Sequence, residues 1–181
     1  MGRAVSNPAQ HRGAGYWSWV LIAAMSAAGV AHANDCQLTI QANDMIQYNA
    51  RTLQVDAGCK LVELTLRHVG KQDARTIGHD WVLSRTSDVS ALTSRGLTAG
   101  FDSGYLPAGD KRIIAATKIV GGGESTTITF STASLVVGGD YSFFCSYPGH
   151  SPMMRGRFVV TGTPDLASNR GAATGQAASS H

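Results

Sequence analysis

Short segments in the middle of the chain alternate between hydrophobic and polar residues and are rich in β-branched and aromatic side chains. This alternation is typical of half-buried β-strands. The predicted strands are 38–40, 53–55, 61–66, 81–83, 126–130, 141–145 and 157–160. Glycine-containing breaks separate them, and regular short strands with such breaks favour an antiparallel sandwich or barrel.

One segment, 87–99, departs from the strand pattern. Its apolar residues Val89 and Leu92, with Leu97 as a third candidate, are spaced to line one side of a helix. We therefore expect an all-β domain that carries one short helical excursion.

The first 33 residues have the organisation of a secretory signal peptide. Basic residues precede an apolar stretch at 17–30, and 31–33 are Ala-His-Ala, a sequence that signal peptidase recognises. A retained membrane anchor is disfavoured because the apolar stretch is shorter than the roughly 20 residues that a spanning helix needs. We predict export, a soluble mature protein that begins at Asn34, and no membrane span in that mature form.

Composition then limits the class of partner. The chain has 181 residues, 15 basic and 12 acidic, and a net charge of +3, with no basic stripe of the kind that nucleic-acid binding needs. Removal of Arg3 and Arg12 with the signal peptide leaves a net charge of +1. Recognition would then depend on an apolar or locally polar patch. Residues 34–161 are expected to form one domain, and the Gly-, Ala- and Ser-rich segment 162–181 a disordered tail.

The chain has three cysteines, an odd number for an exported protein. Cys36 and Cys59 are close in sequence and flank predicted strands, so they are the natural disulfide pair. Cys145 lies more than eighty residues further on, and this leftover thiol needs another explanation.

A thiol, an imidazole and a thioether follow the predicted strand 141–145. Cys145, His150 and Met154 form the pattern C-x4-H-x3-M. These soft donors suit copper and are poor ligands for Mg²⁺ or Ca²⁺. The loop turns at Pro148-Gly149 and is stiffened by Pro152, so its ligands could be fixed before a metal binds.

His79 is the candidate for a further ligand, and the carbonyl of Gly78 could approach an ion closely. Two histidines and one cysteine in a plane, with Met154 and the Gly78 carbonyl as weak axial contacts, are typical of blue-copper electron-transfer sites. Alternatively, His79 is a hydrogen-bonded core histidine and Cys145 a small buried hydrophobe. The whole set in an exported β protein favours the metal.

Two other functions remain open. A copper carrier or buffer would use the same soft ligands but would be expected to expose exchangeable Met or His clusters. A hydrolase would use Cys145 as nucleophile with His79 or His150 as base, although no recognisable oxyanion loop accompanies the cysteine.

These motifs together resemble the azurins, small blue copper proteins of the cupredoxin family from the periplasm of Gram-negative bacteria. The resemblance runs from Asn34 to about Thr161. It rests on the two early cysteines, Gly78-His79 followed by Trp81-Val82-Leu83-Ser84, 114–117 leading to Lys118, Phe143-Phe144-Cys145, and the C-x4-H-x3-M loop.

The resemblance implies an eight-stranded Greek-key sandwich, cupredoxin-like, with the helix as a flap, and a Cys36–Cys59 disulfide. It implies a monomer, not an enzyme, that carries one electron on a single copper ion, Cu(II)/Cu(I), at one end of the sandwich. His150 would be the ligand nearest solvent. The docking patch would include Ile46, Ile77, Tyr147 and Pro148, and the partners would be redox proteins such as c-type cytochromes or copper nitrite reductase.

Further residue roles follow from the same resemblance. Met154, rather than Met153, has the spacing of the axial ligand, Trp81 corresponds to a buried core residue, and His68 corresponds to a histidine that titrates near the site. Asp80 and Ser146 follow the ligands His79 and Cys145 and are expected to support them.

This chain departs from the azurin pattern at two of these positions. Asp80 stands where azurins usually carry Asn, and Tyr147 where Phe is common. An ionised carboxylate accepts hydrogen bonds but cannot donate the one that an amide gives. Our hypothesis is that a charged Asp80 favours Cu(II) and lowers the reduction potential.

Overall fold

The computed structural model describes residues 36–162. The predicted signal peptide, 1–33, and the predicted tail, apart from Gly162, lie outside the described residues. Nine strands are present in the described part of the chain. They are β1 (Gln37–Asn43), β2 (Gln47–Tyr48), β3 (Thr52–Asp56), β4 (Leu61–His68), β5 (Val82–Arg85), β6 (Ala115–Ala116), β7 (Ser125–Ser131), β8 (Tyr141–Phe144) and β9 (Arg155–Thr161).

The strands form a four-stranded sheet, in the order β2-β1-β4-β7, and a five-stranded sheet, in the order β3-β9-β8-β5-β6. In the first sheet β1 and β4 run parallel, with Gln37 opposite Glu63 and Ala42 opposite His68. In the second, β3 runs parallel to β9, and the other neighbours are antiparallel. This arrangement confirms the predicted all-β sandwich. The antiparallel pairing expected from the sequence was wrong for β1–β4 and β3–β9, which are parallel.

The count of nine strands, against the eight expected, has a simple origin. β2 and β3 are separated by three residues and belong to different sheets. One continuous stretch of chain therefore leaves the first sheet and joins the second. Counted as one strand that changes sheets, it restores the expected eight.

The core lies between the two sheets and is built by alternation along the strands. In β4 the residues Val62, Leu64 and Leu66 are fully buried, while the residues between them face outward or are half-buried. Trp81 is completely buried, and its ring packs against Phe130, Phe143 and Phe158 at centroid distances of 5.8 to 6.2 Å. The expectation that Trp81 is a packing residue is met.

The predicted helix is present as α2 (Val89–Ala99), which follows a short 3-10 turn, Thr86–Asp88. Val89 and Leu92 are buried in a second apolar cluster. The prediction that Leu97 lines the apolar side of the helix was wrong, because its side chain is 58% exposed. Gly96 is buried at the contact instead, since a Cβ there would lie 1.9 Å from the Tyr105 carbonyl oxygen.

The topology collects the candidate ligands at one end of the sandwich. Strands β1 and β4 both end there, and β8 delivers the chain directly to Cys145. The predicted disulfide between Cys36 and Cys59 is formed, with the two Cα atoms 5.6 Å apart, at the opposite end where β1 and β4 begin. No helix in the described part of the chain is long and apolar enough to cross a membrane.

The double substitution Cys36→Ser with Cys59→Ser should lower the free energy of unfolding by about 3 kcal/mol, because the bridge closes a loop with a sequence separation of 23. Denaturant unfolding measures this loss. Copper binding should be unchanged, since the bridge lies at the other end of the sandwich. A loss below about 1 kcal/mol would show that the bridge does not restrain the unfolded chain as expected.

Candidate metal centre

The segment that precedes His79, and the backbone pairing of His79 itself, hold this residue in place. Helix α1 (Ala74–Ile77) is capped by Asp73, whose Oδ1 accepts from the backbone N–H groups of Arg75 and Thr76. The helix ends at Ile77 and Gly78 is its C-cap. His79 then exchanges two backbone hydrogen bonds with Val120, of 2.9 and 3.0 Å. The backbone of His79 and the segment that leads into it are therefore fixed.

Gly78 is needed for packing at this point. A Cβ there would lie 2.2 Å from the Ala74 carbonyl oxygen and 2.5 Å from Cγ2 of Ile119. Any other residue would push α1 or the segment beside it away from His79. This packing role supplements the predicted approach of the Gly78 carbonyl to an ion.

The second set of candidates lies in residues 145–154, called here the ligand loop. The Met154 N–H donates to the His150 carbonyl at 2.8 Å, and the Cys145 N–H donates to the Met154 carbonyl at 3.0 Å. Gly149 provides the turn, with φ of +80°. These bonds join the first, middle and last candidate ligands of the loop without help from a metal.

The two segments bring His79, Cys145 and His150 together. The Cys145 sulfur lies 3.9 Å from Nδ1 of His79 and 3.6 Å from Nδ1 of His150, and one donor atom from each residue falls within 4.8 Å of the others. Cys145 and His79 are fully buried, and His150 is 5% exposed. Met154 is also fully buried, and its backbone is bonded to both Cys145 and His150.

A backbone carbonyl fixes the ring of His79. Nε2 lies 2.9 Å from the Asn43 carbonyl oxygen, which can only accept, so Nε2 carries the hydrogen and donates it. Nδ1 then presents a lone pair toward Cys145, the arrangement that metal-binding histidines use. The sequence could not reveal this role of Asn43, because any residue at that position would provide the same backbone carbonyl.

Protonation at the site suits a soft metal ion. Burial lowers the pKa of both His79 and His150 to about 4, and the Asn43 bond only partly offsets this for His79. Burial also raises the pKa of the Cys145 thiol well above its usual range. Two neutral imidazoles and a protonated thiol therefore occupy a dry cluster at neutral pH, and a bound cation would replace the thiol proton. This donor set fits copper.

His68 extends the cluster away from Cys145. Its ring stacks on His79, with centroids 4.7 Å apart and planes 22° apart. Its Nε2 donates to the Ile77 carbonyl at 3.0 Å, and its Nδ1 accepts from the Gly70 N–H at 3.0 Å. The predicted proximity of His68 to the site is therefore seen, and both ring nitrogens have partners.

Asp80 and Ser146 join the two ligand segments. The Ser146 N–H donates to Oδ1 of Asp80 at 2.7 Å, while the Ser146 hydroxyl lies 2.6 Å from both Oδ2 of Asp80 and the Gly104 carbonyl oxygen. A hydroxyl has one hydrogen, so both short contacts are satisfied when Oδ2 is protonated and donates to Ser146. Burial raises the pKa of Asp80 to about 6. Below that pH, a protonated Asp80 can supply the donor that an ionised carboxylate lacks.

Tyr147 contacts both ligand segments. Its ring stacks on His150 at a centroid distance of 4.6 Å, and its hydroxyl donates to the Arg75 carbonyl at 2.6 Å. A phenylalanine could make the first contact but not the second. The other members of the expected docking patch, Ile46, Ile77 and Pro148, are half-buried like Tyr147.

The pKa of Asp80 gives the metal-free protein a pH-dependent stability. Its pKa is raised from 3.8 to about 6 on folding, so the folded state holds the proton more tightly and stability falls as pH rises through this window. His79 and His150, with lowered pKa values, act in the opposite direction. The difference between the wild type and Asp80→Asn isolates Asp80.

Relative to Asp80→Asn, the metal-free wild type should lose about 2 kcal/mol of unfolding free energy between pH 4 and pH 7. Denaturant unfolding at several pH values measures this difference. Asp102→Asn, which alters a side chain that is 92% exposed, is the control for loss of a carboxyl group. A difference between wild type and Asp80→Asn that does not change with pH would contradict the expectation.

Comparisons with known proteins agree with this geometry. Residues 34–161 match the family model described as copper binding proteins, plastocyanin/azurin family. An azurin of Bordetella pertussis is 43% identical over 136 residues, which cover 75% of this chain and 89% of the relative. An azurin of Pseudomonas fluorescens biotype A is 41% identical over 126 residues, covering 70% of this chain and 98% of the relative.

Among solved structures, an azurin from the obligate methylotroph Methylomonas sp. strain J superposes with a TM-score of 0.68 at 38% identity. The match covers 70% of this chain and 98% of that one. Sequence, fold and the buried histidine–cysteine cluster thus agree, and the chain belongs to the copper-binding plastocyanin/azurin family.

Proposed function

We propose that the protein is a periplasmic one-electron carrier that binds a single copper ion through His79, Cys145 and His150. The Met154 sulfur and the Gly78 carbonyl would be its weaker additional ligands. The observation that supports this most strongly is the convergence of one buried sulfur and one nitrogen atom from each of two imidazoles within 4.8 Å. Copper, when bound, supplies the Cu(II)/Cu(I) couple.

The protein's own contribution is to hold the ligands still. Backbone bonds connect Cys145, His150 and Met154, and the Asn43 carbonyl fixes His79. A donor set held in place changes little between two oxidation states, so little rearrangement opposes electron transfer. No substrate bond has to form or break.

His150 is the proposed point of exit for the electron. It is 5% exposed, whereas His79, Cys145 and Met154 are fully buried. Its ring stacks on Tyr147, and the patch of Ile46, Ile77, Tyr147 and Pro148 is the proposed docking surface. A nearly neutral mature chain suits apolar docking, and c-type cytochromes and copper nitrite reductase are the proposed partners.

The alternative functions fit the geometry less well. A copper carrier must release its ion, but Cys145 and Met154 are fully buried in a loop that is closed by its own hydrogen bonds. A cysteine hydrolase needs a thiol with a lowered pKa, and burial raises the pKa of Cys145. Both observations favour electron transfer.

Introducing a charge into the patch should slow electron exchange between copies of the protein. Ile77→Glu places like charges opposite each other when two patches meet, which should reduce the self-exchange rate by about tenfold or more. NMR line broadening in mixed Cu(I)/Cu(II) samples measures this rate. Val136→Glu is the matched control, because this side chain is 59% exposed in the loop between β7 and β8. It should leave the self-exchange rate unchanged. Equal self-exchange rates in the two variants would contradict the proposal that this patch is the docking surface.

Asp80→Asn should raise the reduction potential, because removing a buried carboxylate removes attraction for Cu(II) on the order of 1 kcal/mol. A redox titration at neutral pH measures the change, with Asp102→Asn as the control for an exposed carboxylate. An unchanged or lower potential in Asp80→Asn would count against the hypothesis.

A further inference from the structure

We propose a second binding site, for an oxyanion of the phosphate class, in a groove on the outer face of the five-stranded sheet. The groove has a volume of about 490 Å³ and is lined by Arg51, Arg155, Arg157, Thr86, Ser142 and Asp140. None of these residues belongs to the candidate metal centre. The groove follows β8 and β9, where Ser142 lies opposite Arg157.

Arg51 and Arg155 are held in place by the protein. Nη1 of Arg51 donates to the Met153 carbonyl at 2.8 Å and to the Arg155 carbonyl at 3.2 Å. Nη2 of Arg155 lies 3.4 Å from the Thr86 carbonyl and 3.4 Å from the Ser142 hydroxyl. Such anchored guanidinium groups lose little conformational freedom when a ligand binds.

Several guanidinium donors are nevertheless unused. Within residues 36–162, Nε and Nη2 of Arg51 and Nη1 of Arg155 make no hydrogen bond, and the side chain of Arg157 makes none. In the same range none of the three arginines has a carboxylate within 4.0 Å. Guanidinium pairs oxygen atoms two at a time, which suits a tetrahedral oxyanion.

Asp140 is the one acidic residue lining the groove. Its Oδ1 accepts from the Thr86 hydroxyl at 2.7 Å, and that hydroxyl lies 2.9 Å from the Ser142 hydroxyl. Three arginines and one aspartate leave the groove with two positive charges. This is a concentrated charge for a chain whose predicted mature form has a net charge of +1.

The groove is also joined to the ligand loop. Arg51 donates to the carbonyls of Met153 and Arg155, the two residues on either side of Met154. Those carbonyls share peptide groups with the N–H of Met154 and the N–H of Gly156. An anion that engages the free donors of Arg51 should therefore change the environment of these two amides as well as that of the groove.

Titration of the reduced protein with inorganic phosphate, at constant pH and constant ionic strength, tests the site. Amide spectra should show saturable shifts that are confined to the groove and to the amides of Met154 and Gly156. A parallel titration with glucose 6-phosphate distinguishes the source: tighter binding would assign an esterified phosphate, and equal binding the free ion. Both results support a phosphoryl site.

Three variants make the test specific. Arg157→Gln should weaken phosphate binding by about tenfold, because a hydrogen bond to a charged group is lost, and Asp140→Asn should tighten it. Arg67→Gln removes the same charge from an exposed position on the other sheet and should have no effect. Shifts that do not saturate, or an equal loss in Arg157→Gln and Arg67→Gln, would overturn the proposal.

Discussion

The structure depends on keeping one thiol and two imidazoles together in a dry cluster without an internal charge. Buried polar groups destabilise a fold unless they are paired, and here nearly every one has a partner. The Asn43 carbonyl accepts from His79, the Met154 carbonyl accepts from the Cys145 N–H, and Asp80 and Ser146 satisfy each other. The ligand geometry is a consequence of this pairing.

Rigidity at the cluster comes from the topology of the sandwich. The parallel strands β1 and β4 end beside it, and β8 is buried along its whole length before it reaches Cys145. The two histidine-bearing segments are far apart in sequence and are connected through Asp80–Ser146 and through Tyr147–Arg75. Cross-connections of this kind limit how far the ligands can separate, whichever oxidation state the bound ion has.

Much of the fold could be predicted from the sequence because alternation in short strands reports burial directly. The strands at 61–66 and 126–130 are examples, since their side chains alternate between the core and the exterior. Leu97 was misassigned because periodicity cannot detect that Gly96 is required by the close approach of Tyr105. The sheet change between β2 and β3 was also missed, because strand propensity carries no information on which sheet a strand joins.

The structure brings His79, Cys145 and His150 together as a possible metal site, as the sequence predicted. They could be singled out because thiol and imidazole side chains are chemically specific, and because Cys145 and His150 are close in sequence to the further candidate Met154. The contacts that orient these side chains could not be predicted from the sequence. Asn43 acts through its carbonyl, and Gly104 accepts from Ser146 through its carbonyl, so neither leaves a side-chain signal. The raised pKa of Asp80 was likewise hidden, because it depends on complete burial of the carboxyl group.

The central proposal is that Cys145, His79 and His150 would together hold a copper ion. The most direct test is the visible absorption spectrum of the protein with Cu(II), before and after ascorbate, for the wild type and Cys145→Ser. We predict an intense thiolate-to-copper charge-transfer band in the wild type that bleaches on reduction and is absent from Cys145→Ser. A weak, pale spectrum that is the same in both proteins would contradict the claim.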